Sequence, residues 1–177
     1  MQQLPFFVYG TLQTGFKNNT KYVRDRLVLR SRGQIRNAHL YHYSDARHPG
    51  LYEGSPKCPT DMRKVLFRTD ISLSSNKPEA LPFSGFVVGQ VLDFPDTHKY
   101  PDLYDNLLKD LDQLEGYRES SSDNVYDRVK RFVEIPSGED VLCWVYISRI
   151  KLDDNAVLIS DGDWRAFMMK HGFDDMN

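Results

Sequence analysis

Apolar positions follow two different spacings along this chain, and the spacings separate predicted strands from predicted helices. Residues 6–9 form an unbroken apolar run that predicts a short buried strand. Valine-rich, isoleucine-rich and aromatic stretches at 34–43, 85–94 and 126–135 are typical of further strands. The stretch at 141–147 is apolar on both faces, so we expect it to be a central strand of the sheet.

Helical spacing is clearest before Gly116, a residue type that commonly ends helices. The apolar positions three or four residues apart are Leu103, Leu107, Leu111 and Leu114. A last helix is predicted from about Asp163 to His171, with Ser160–Asp161 as its cap and Gly172 as its end. Its apolar stripe consists of Trp164, Phe167 and Met168. The chain therefore mixes strands and helices, as an α+β protein does.

Residues 53–84 interrupt this regular pattern. Four of the nine prolines fall within them, yet Val65-Leu66-Phe67 and Ile71 are apolar. This composition predicts an elaborated loop, with a hairpin as the structure that the apolar residues favour.

Length and charge narrow the function classes. A chain of 177 residues with 40% apolar content suits one domain, 1–177. A net charge of −2 provides no global field for nucleic acid or an anionic membrane, so we expect a small-molecule partner instead. Cys58 and Cys143 form no closely spaced pair, and no leader or membrane-spanning stretch is evident. We therefore expect a cytoplasmic protein, either a monomer or a homodimer.

The turn Tyr9-Gly10-Thr11-Leu12 directly follows the first predicted strand. Glycine permits a positive φ and a close approach of the backbone to a ligand, and successive N–H groups in such a turn form an anion-binding concavity. A tight turn after an edge strand would leave the same sequence. The tetrapeptide by itself therefore indicates a binding loop or a purely structural turn.

Glu115 stands in the last turn of the leucine-rich helix. The unpaired carbonyl groups there carry partial negative charge, which disfavours a carboxylate and raises its pKa towards neutrality. A carboxyl group of that kind suits proton transfer, whereas the alternative is an ordinary solvated glutamate. Asp110 and Asp112 fall on the polar face of the helix, so we expect both to be solvated.

Two motifs taken together, Phe6–Leu12 and Leu111–Tyr117, resemble the gamma-glutamylcyclotransferase-like family, which includes AIG2-like and gamma-glutamylamine cyclotransferase-like proteins. The resemblance implies a mixed, partly closed β-barrel with flanking helices. It implies that the turn formed by Tyr9, Gly10, Thr11 and Leu12 holds the substrate and that Glu115 is the acid/base. The expected reaction closes a gamma-glutamyl group to 5-oxoproline and releases an amine or amino acid.

The resemblance extends to the strand beginning Tyr126-Asp127-Arg128 and to the aromatic stretch at 144–146. Tyr126 is a further candidate for lining the same cavity. The chain departs from the family in its long 53–84 segment, and it keeps only Pro49 to Leu51 of the family's Tyr-Pro-x-Leu loop. These departures leave the leaving group of the substrate open.

Other chemistries fit the sequence less well. Residues 10–17 approximate a phosphate-binding loop, but Phe16 occupies the place of the lysine. His39 and His42 fall on opposite faces of a predicted strand, so we expect no metal site, and the family resemblance implies no cofactor. Two alternatives remain: a non-catalytic ligand-binding module of the same fold, and a nucleic-acid-binding protein that uses the arginines of residues 17–36.

Overall fold

The computed structural model describes residues 3–43, 48–54, 85–95 and 101–172. In chain order the elements are β1 Phe6–Val8, α1 Lys17–Tyr22, β2 Val28–Arg36, β3 Ala38–His42, β4 Pro49–Glu53, β5 Phe86–Asp93, α2 Pro101–Leu114, β6 Tyr126–Glu134, β7 Asp140–Ser148, β8 Val157–Ile159 and α3 Trp164–His171. The loop predicted at 53–84 lies outside the described residues beyond Gly54.

Five strands close into a barrel in the order β1-β5-β2-β6-β7, and β4-β3-β8 form a separate three-stranded sheet. The barrel is mixed because β1 runs antiparallel to β5 but parallel to β7. The α+β class and the barrel with flanking helices are therefore confirmed. β7 pairs with β6 on one side and β1 on the other, which confirms that it is a central strand.

The strand predicted over 34–43 is two strands in the structure. Asn37 has φ 54° and separates β2, which belongs to the barrel, from β3, which belongs to the second sheet. Asparagine tolerates this left-handed conformation better than most residues do. The apolar pattern continues on both sides of Asn37, so hydrophobicity alone does not reveal the break.

β1 has a side chain in each of two hydrophobic cores. Phe7 belongs to a core that joins barrel strands to α3, through Trp164 and Met168. Phe6 belongs to a second core, where Leu107 and Leu111 pack α2 against the barrel. Because alternate residues of a strand point to opposite faces, this short strand connects both cores.

The helix ends follow the predicted chemistry with one correction. Gly116 and Gly172 have φ 64° and 66°, as expected of glycines that end helices. The cap of α3 is Asp163, whose Oδ1 accepts from the Ala166 N–H at 3.1 Å, rather than Ser160–Asp161. Asp161 instead accepts from the Asp163 N–H at 3.2 Å, which shapes the turn before the helix. None of the helices in the described ranges is long and apolar enough to cross a membrane.

Candidate active site

One cavity of about 260 Å³ brings the two sequence motifs together. It lies where the turn after β1 meets the end of α2. Its wall contains Tyr9, Gly10, Thr11, Leu12 and Glu115, and also Asn18, His48, Pro49, Tyr126 and Tyr146. The structure thus places every predicted site residue around the same space, and Tyr126 lines it as well. The roles assigned to these residues stay predictions.

The turn after β1 forms part of the cavity wall. The N–H groups of Gly10, Thr11 and Leu12 donate to no acceptor within the described part of the chain. Two hydrogen bonds from Gln13 fix the turn. Its N–H donates to the Gly10 carbonyl at 3.1 Å, and its Nε2 donates to the Tyr9 carbonyl at 2.8 Å. Free N–H groups on a fixed turn suit an anionic or carbonyl oxygen.

The expectation of a positive φ at Gly10 is wrong, whereas the close approach of its backbone to a ligand stays a prediction. The φ angle of Gly10 lies outside the left-handed range. A Cβ at this position would instead lie 2.9 Å from Pro49 Cγ. Glycine is required because β4 begins directly against the turn, and a side chain would push the two apart.

Glu115 reaches the cavity from the end of α2. Its N–H still donates to the Leu111 carbonyl at 2.9 Å, so the helix geometry fixes its backbone. Its carboxylate has no hydrogen bond or ion pair to any residue that the structure describes. Burial raises the pKa of Glu115 to about 7, which agrees with the predicted direction but arises from desolvation.

Three tyrosine side chains share the cavity with this carboxylate. The Tyr9 hydroxyl donates to the Tyr146 carbonyl at 2.7 Å, and the Tyr126 hydroxyl donates to the Pro49 carbonyl at 2.8 Å. The Tyr146 hydroxyl donates to Asp112 Oδ1 at 2.8 Å. Burial is the main cause that raises the pKa of all three phenols, and the Glu115 charge raises each further. All three therefore stay protonated at neutral pH.

His48 is a cavity residue that the sequence does not single out for this site. Its Nδ1 lies 2.9 Å from the Tyr126 hydroxyl. Because that hydroxyl has one hydrogen and gives it to Pro49, His48 Nδ1 must be the donor in this bond. Burial lowers the pKa of His48, so its ring is neutral at neutral pH. Nε2 is then a hydrogen-bond acceptor.

Asp112 is not solvated, contrary to the expectation from the helix pattern. Its Oδ2 accepts from Arg128 Nη1 at 2.6 Å, and these side chains are only 21% and 11% exposed. The Arg128 guanidinium also lies 5.0 Å from the Tyr117 ring centre and 4.8 Å from that of Trp144. Asp110 is more exposed and pairs with Arg26 at 2.6 Å. Helical periodicity could not reveal the Asp112 partner, because Arg128 comes from β6.

Asn18 is another cavity residue that sequence reasoning missed. Its Nδ2 donates to Thr11 Oγ1 at 2.9 Å. The Thr11 hydroxyl consequently keeps its own hydrogen for another acceptor. No sequence pattern pointed to Asn18, which directly follows the phosphate-loop-like stretch at 10–17. Among the described residues, no group of three or more His, Cys, Asp or Glu side chains is placed to hold a metal ion.

The fold and this cavity define a small α+β barrel protein in which Glu115 and the turn after β1 line the same cavity. The family model described as gamma-glutamyl cyclotransferase, AIG2-like, matches residues 6–70 and 71–166. The chain therefore belongs to this family. Membership supports a function of the gamma-glutamyl cyclotransferase type, in a family that is generally enzymatic.

Solved structures of low sequence identity share the fold. An uncharacterized protein from Pyrococcus horikoshii is 15% identical with a TM-score of 0.54, over 97% of this chain and 98% of that chain. YkqA from Bacillus subtilis is 16% identical with a TM-score of 0.53, over 97% of this chain and 43% of its own. Allophanate hydrolase from Kluyveromyces lactis is 13% identical with a TM-score of 0.53, over 97% of this chain and 22% of its own. No curated protein shows significant sequence similarity to this chain.

Proposed function

We propose that this protein cyclises a gamma-glutamyl amine or peptide to 5-oxoproline and releases the amine or amino acid. The observation that carries the proposal is the position of Glu115. It is a carboxyl group with a pKa of about 7, in the same cavity as the free N–H groups of the Tyr9–Leu12 turn. Such a pKa allows one group both to accept and to donate a proton near neutral pH.

The reaction needs no nucleophile from the protein. The α-amine of the substrate attacks its own γ-carbonyl carbon, and a new C–N bond closes the five-membered ring. Glu115 takes the proton that the amine loses, and the γ-carbonyl oxygen becomes an oxyanion. The bond from that carbon to the leaving nitrogen then breaks as Glu115 returns the proton to this nitrogen. No water or cofactor enters the balance.

The turn after β1 would bind the negative charge of the substrate. The N–H groups of Gly10, Thr11 and Leu12 are candidates for holding the developing oxyanion or the substrate carboxylate. Because the turn is already fixed by Gln13, the donors need little reorganisation when charge develops. The site would also increase the rate by holding the substrate folded, with its amine against the carbonyl carbon.

A product assay tests this proposal. The purified protein is incubated with gamma-glutamyl dipeptides, glutathione and gamma-glutamyl-lysine, and 5-oxoproline is measured by mass spectrometry. We expect product from at least one substrate, and we expect Glu115→Gln to lower turnover at least about a hundredfold, as removal of an acid/base does.

Glu119→Gln is the matched control, since it makes the same chemical change at an exposed position outside the cavity wall. It should retain full turnover. An active Glu115→Gln variant would assign the proton transfer to another group. A panel without any product would favour the non-catalytic ligand-binding module of the same fold.

A further inference from the structure

His48 is a cavity residue that comes from a different part of the fold than the turn after β1. It directly precedes β4, a strand of the three-stranded sheet, whereas the turn follows a strand of the barrel. Its ring contacts two tyrosines edge-on, with ring centres 5.9 Å away for Tyr43 and 6.1 Å away for Tyr126. Two aromatic contacts and the hydrogen bond to Tyr126 therefore fix this ring in the cavity wall.

The hydrogen bond to Tyr126 also decides what His48 can offer a ligand. The Tyr126 hydroxyl gives its one hydrogen to the Pro49 carbonyl, so His48 Nδ1 carries the hydrogen of the bond between the two side chains. Burial lowers the pKa of His48, so the ring holds no second hydrogen at neutral pH. Nε2 is therefore an acceptor, and no donor among the described residues is bonded to it.

The proposed reaction leaves this acceptor unused. The turn after β1 would bind the carboxylate or the oxyanion, and Glu115 would transfer the proton. The Glu115 charge contributes to the raised pKa of the three cavity phenols, whereas burial is the cause that lowers the pKa of His48. The imidazole is thus electrostatically separate from the reacting carboxyl group, although the two line one cavity. The leaving amine is the part of the substrate that extends beyond the turn and Glu115.

Histidine at this position also changes the chemistry of the wall. The chain has His48 where the loop Tyr-Pro-x-Leu has its tyrosine. A tyrosine hydroxyl both donates and accepts, whereas an imidazole with its hydrogen fixed on Nδ1 offers only an acceptor at Nε2. This part of the wall is therefore complementary to a donor and not to a carboxylate.

We propose that His48 selects the leaving group of the substrate, and that it favours an amine whose far end carries a hydrogen-bond donor, such as an ammonium or hydroxyl group, over one that ends in a carboxylate. This inference rests on the proposed function and names the leaving-group class that this function leaves open. A donor would give its hydrogen to Nε2. A carboxylate would lose water and find a lone pair instead of a hydrogen. A site built for one hydrogen bond discriminates against ligands that cannot make it.

Matched gamma-glutamyl amides test the preference at two chain lengths. The short set is made from ethylenediamine, propylamine and β-alanine, and the long set from putrescine, pentylamine and 5-aminopentanoate. Within each set the leaving amine differs only in its terminal group, which is an ammonium, a methyl or a carboxylate. Binding is measured by isothermal titration calorimetry at neutral pH on Glu115→Gln, in which the ligands should stay uncyclised.

We expect the ammonium compound of at least one set to bind at least about tenfold more tightly than its methyl analogue, and the carboxylate compound to bind more weakly than both. Equal affinities within both sets would overturn the inference. So would a preference for the carboxylate, or no binding of any compound.

Two variants in the same background assign the preference to His48. His48→Asn keeps an amide N–H near the place of Nδ1 and removes the acceptor at Nε2, so the ratio of ammonium to methyl affinity should fall to within about twofold of one. Tyr126→Phe removes the group that fixes the tautomer, so Nε2 can carry the hydrogen and the carboxylate compound should gain affinity relative to the methyl compound.

His171→Asn is the matched control, because it makes the same change at an exposed position outside the cavity wall. It should keep the ratios of the Glu115→Gln background. A folded His48→Asn variant with an unchanged ratio would contradict the proposal. If that variant does not fold, an unchanged carboxylate affinity in Tyr126→Phe would contradict it instead.

The binding experiment does not depend on turnover, so the two proposals can fail separately. An ammonium preference that depends on His48, without any 5-oxoproline from the wild-type protein, would reject the cyclisation and keep the role of His48 in ligand selection. Turnover by the wild type with equal kcat/KM for the three terminal groups would keep the cyclisation and reject that role.

Discussion

The environment of Glu115 explains why its pKa is high. An ionised carboxylate needs hydrogen-bond donors, and the neighbouring phenols donate elsewhere. A protonated carboxyl group carries no charge to solvate, so burial without hydrogen-bond donors favours the neutral acid.

Glu115 also makes stability depend on pH. Its pKa is raised from 4.5 in the unfolded chain to about 7 in the folded protein, so the folded state holds the proton more tightly. This contribution to stability is complete below pH 4.5 and is lost as the pH rises through 7. At about pH 9 the ionised side chain should cost roughly 3 kcal/mol, an upper value for a partly exposed group.

Glu115→Gln should therefore be more stable than the wild type at about pH 9, because glutamine cannot ionise. At about pH 4 the difference should shrink. Urea unfolding at both pH values measures the free energy of unfolding. Glu119→Gln, at an exposed site, should show no such pH-dependent gain. A Glu115→Gln variant with no advantage at high pH would mean that the carboxylate is well solvated.

Individual site residues differ in how far the sequence predicts them. Glu115 and the turn at 9–12 are predicted because each lies in a continuous motif, and the two motifs together resemble a known family. Tyr146 and His48 are not predicted as site residues, because they come from β7 and from the chain just before β4. Alternation in a strand tells which residues share a face. It does not tell which cavity that face meets.

Helix α2 positions Glu115 at its end and also bonds to two barrel strands. Its Asp112 accepts from both Tyr146 and Arg128, and it thereby ties the helix to two neighbouring barrel strands, β7 and β6. The sequence predicts the bounds and the apolar face of α2 well. It places Asp112 wrongly in solvent because the polar face of this helix is partly covered by β6 and β7, which follow it in the chain.

Asp112→Asn should destabilise the protein by roughly 3 kcal/mol, since it leaves Arg128 without its charged partner in a largely buried position. Turnover should fall as well, because the Tyr146 hydroxyl loses its charged acceptor. Asp110→Asn makes the same change on the same helix, but that pair with Arg26 is 47% and 33% exposed and should contribute less than about 1 kcal/mol.

Thermal unfolding and steady-state kinetics on both variants measure these effects. Equal small losses in the two variants would show that the Asp112 ion pair contributes no more than an exposed one. Lower stability of Asp112→Asn with unchanged kinetics would separate the ion pair from the cavity.

Closure of the barrel is what brings the two motifs together. β1 pairs with Gln90 to Leu92 of β5 on one side, and the Trp144 N–H of β7 donates to the Pro5 carbonyl at 2.8 Å on the other. The strand is only three residues long, yet it carries the turn that forms half of the cavity. The sequence predicts each strand locally. Strand order depends on pairings between distant parts of the chain, and the parallel pairing of β1 with β7 spans more than 130 residues, so no local pattern encodes it.

The core between α2 and the barrel couples global stability to the position of Glu115. Leu111 is fully buried in that core, and its carbonyl accepts from the Glu115 N–H. Leu111→Ala should lower the free energy of unfolding by about 3 kcal/mol, because it leaves a cavity, and it should also lower turnover, because the last turn of α2 loses its packing.

Leu103→Ala is the control, since it shortens the same residue type on the same helix at a position that is 51% exposed. It should change the free energy of unfolding by less than about 0.5 kcal/mol. Urea unfolding and the 5-oxoproline assay on the two variants compare these effects directly. A Leu111→Ala variant that lost stability but kept full turnover would contradict this coupling. It would show that the backbone turn ending at Gly116 holds Glu115 in place without the core beneath it.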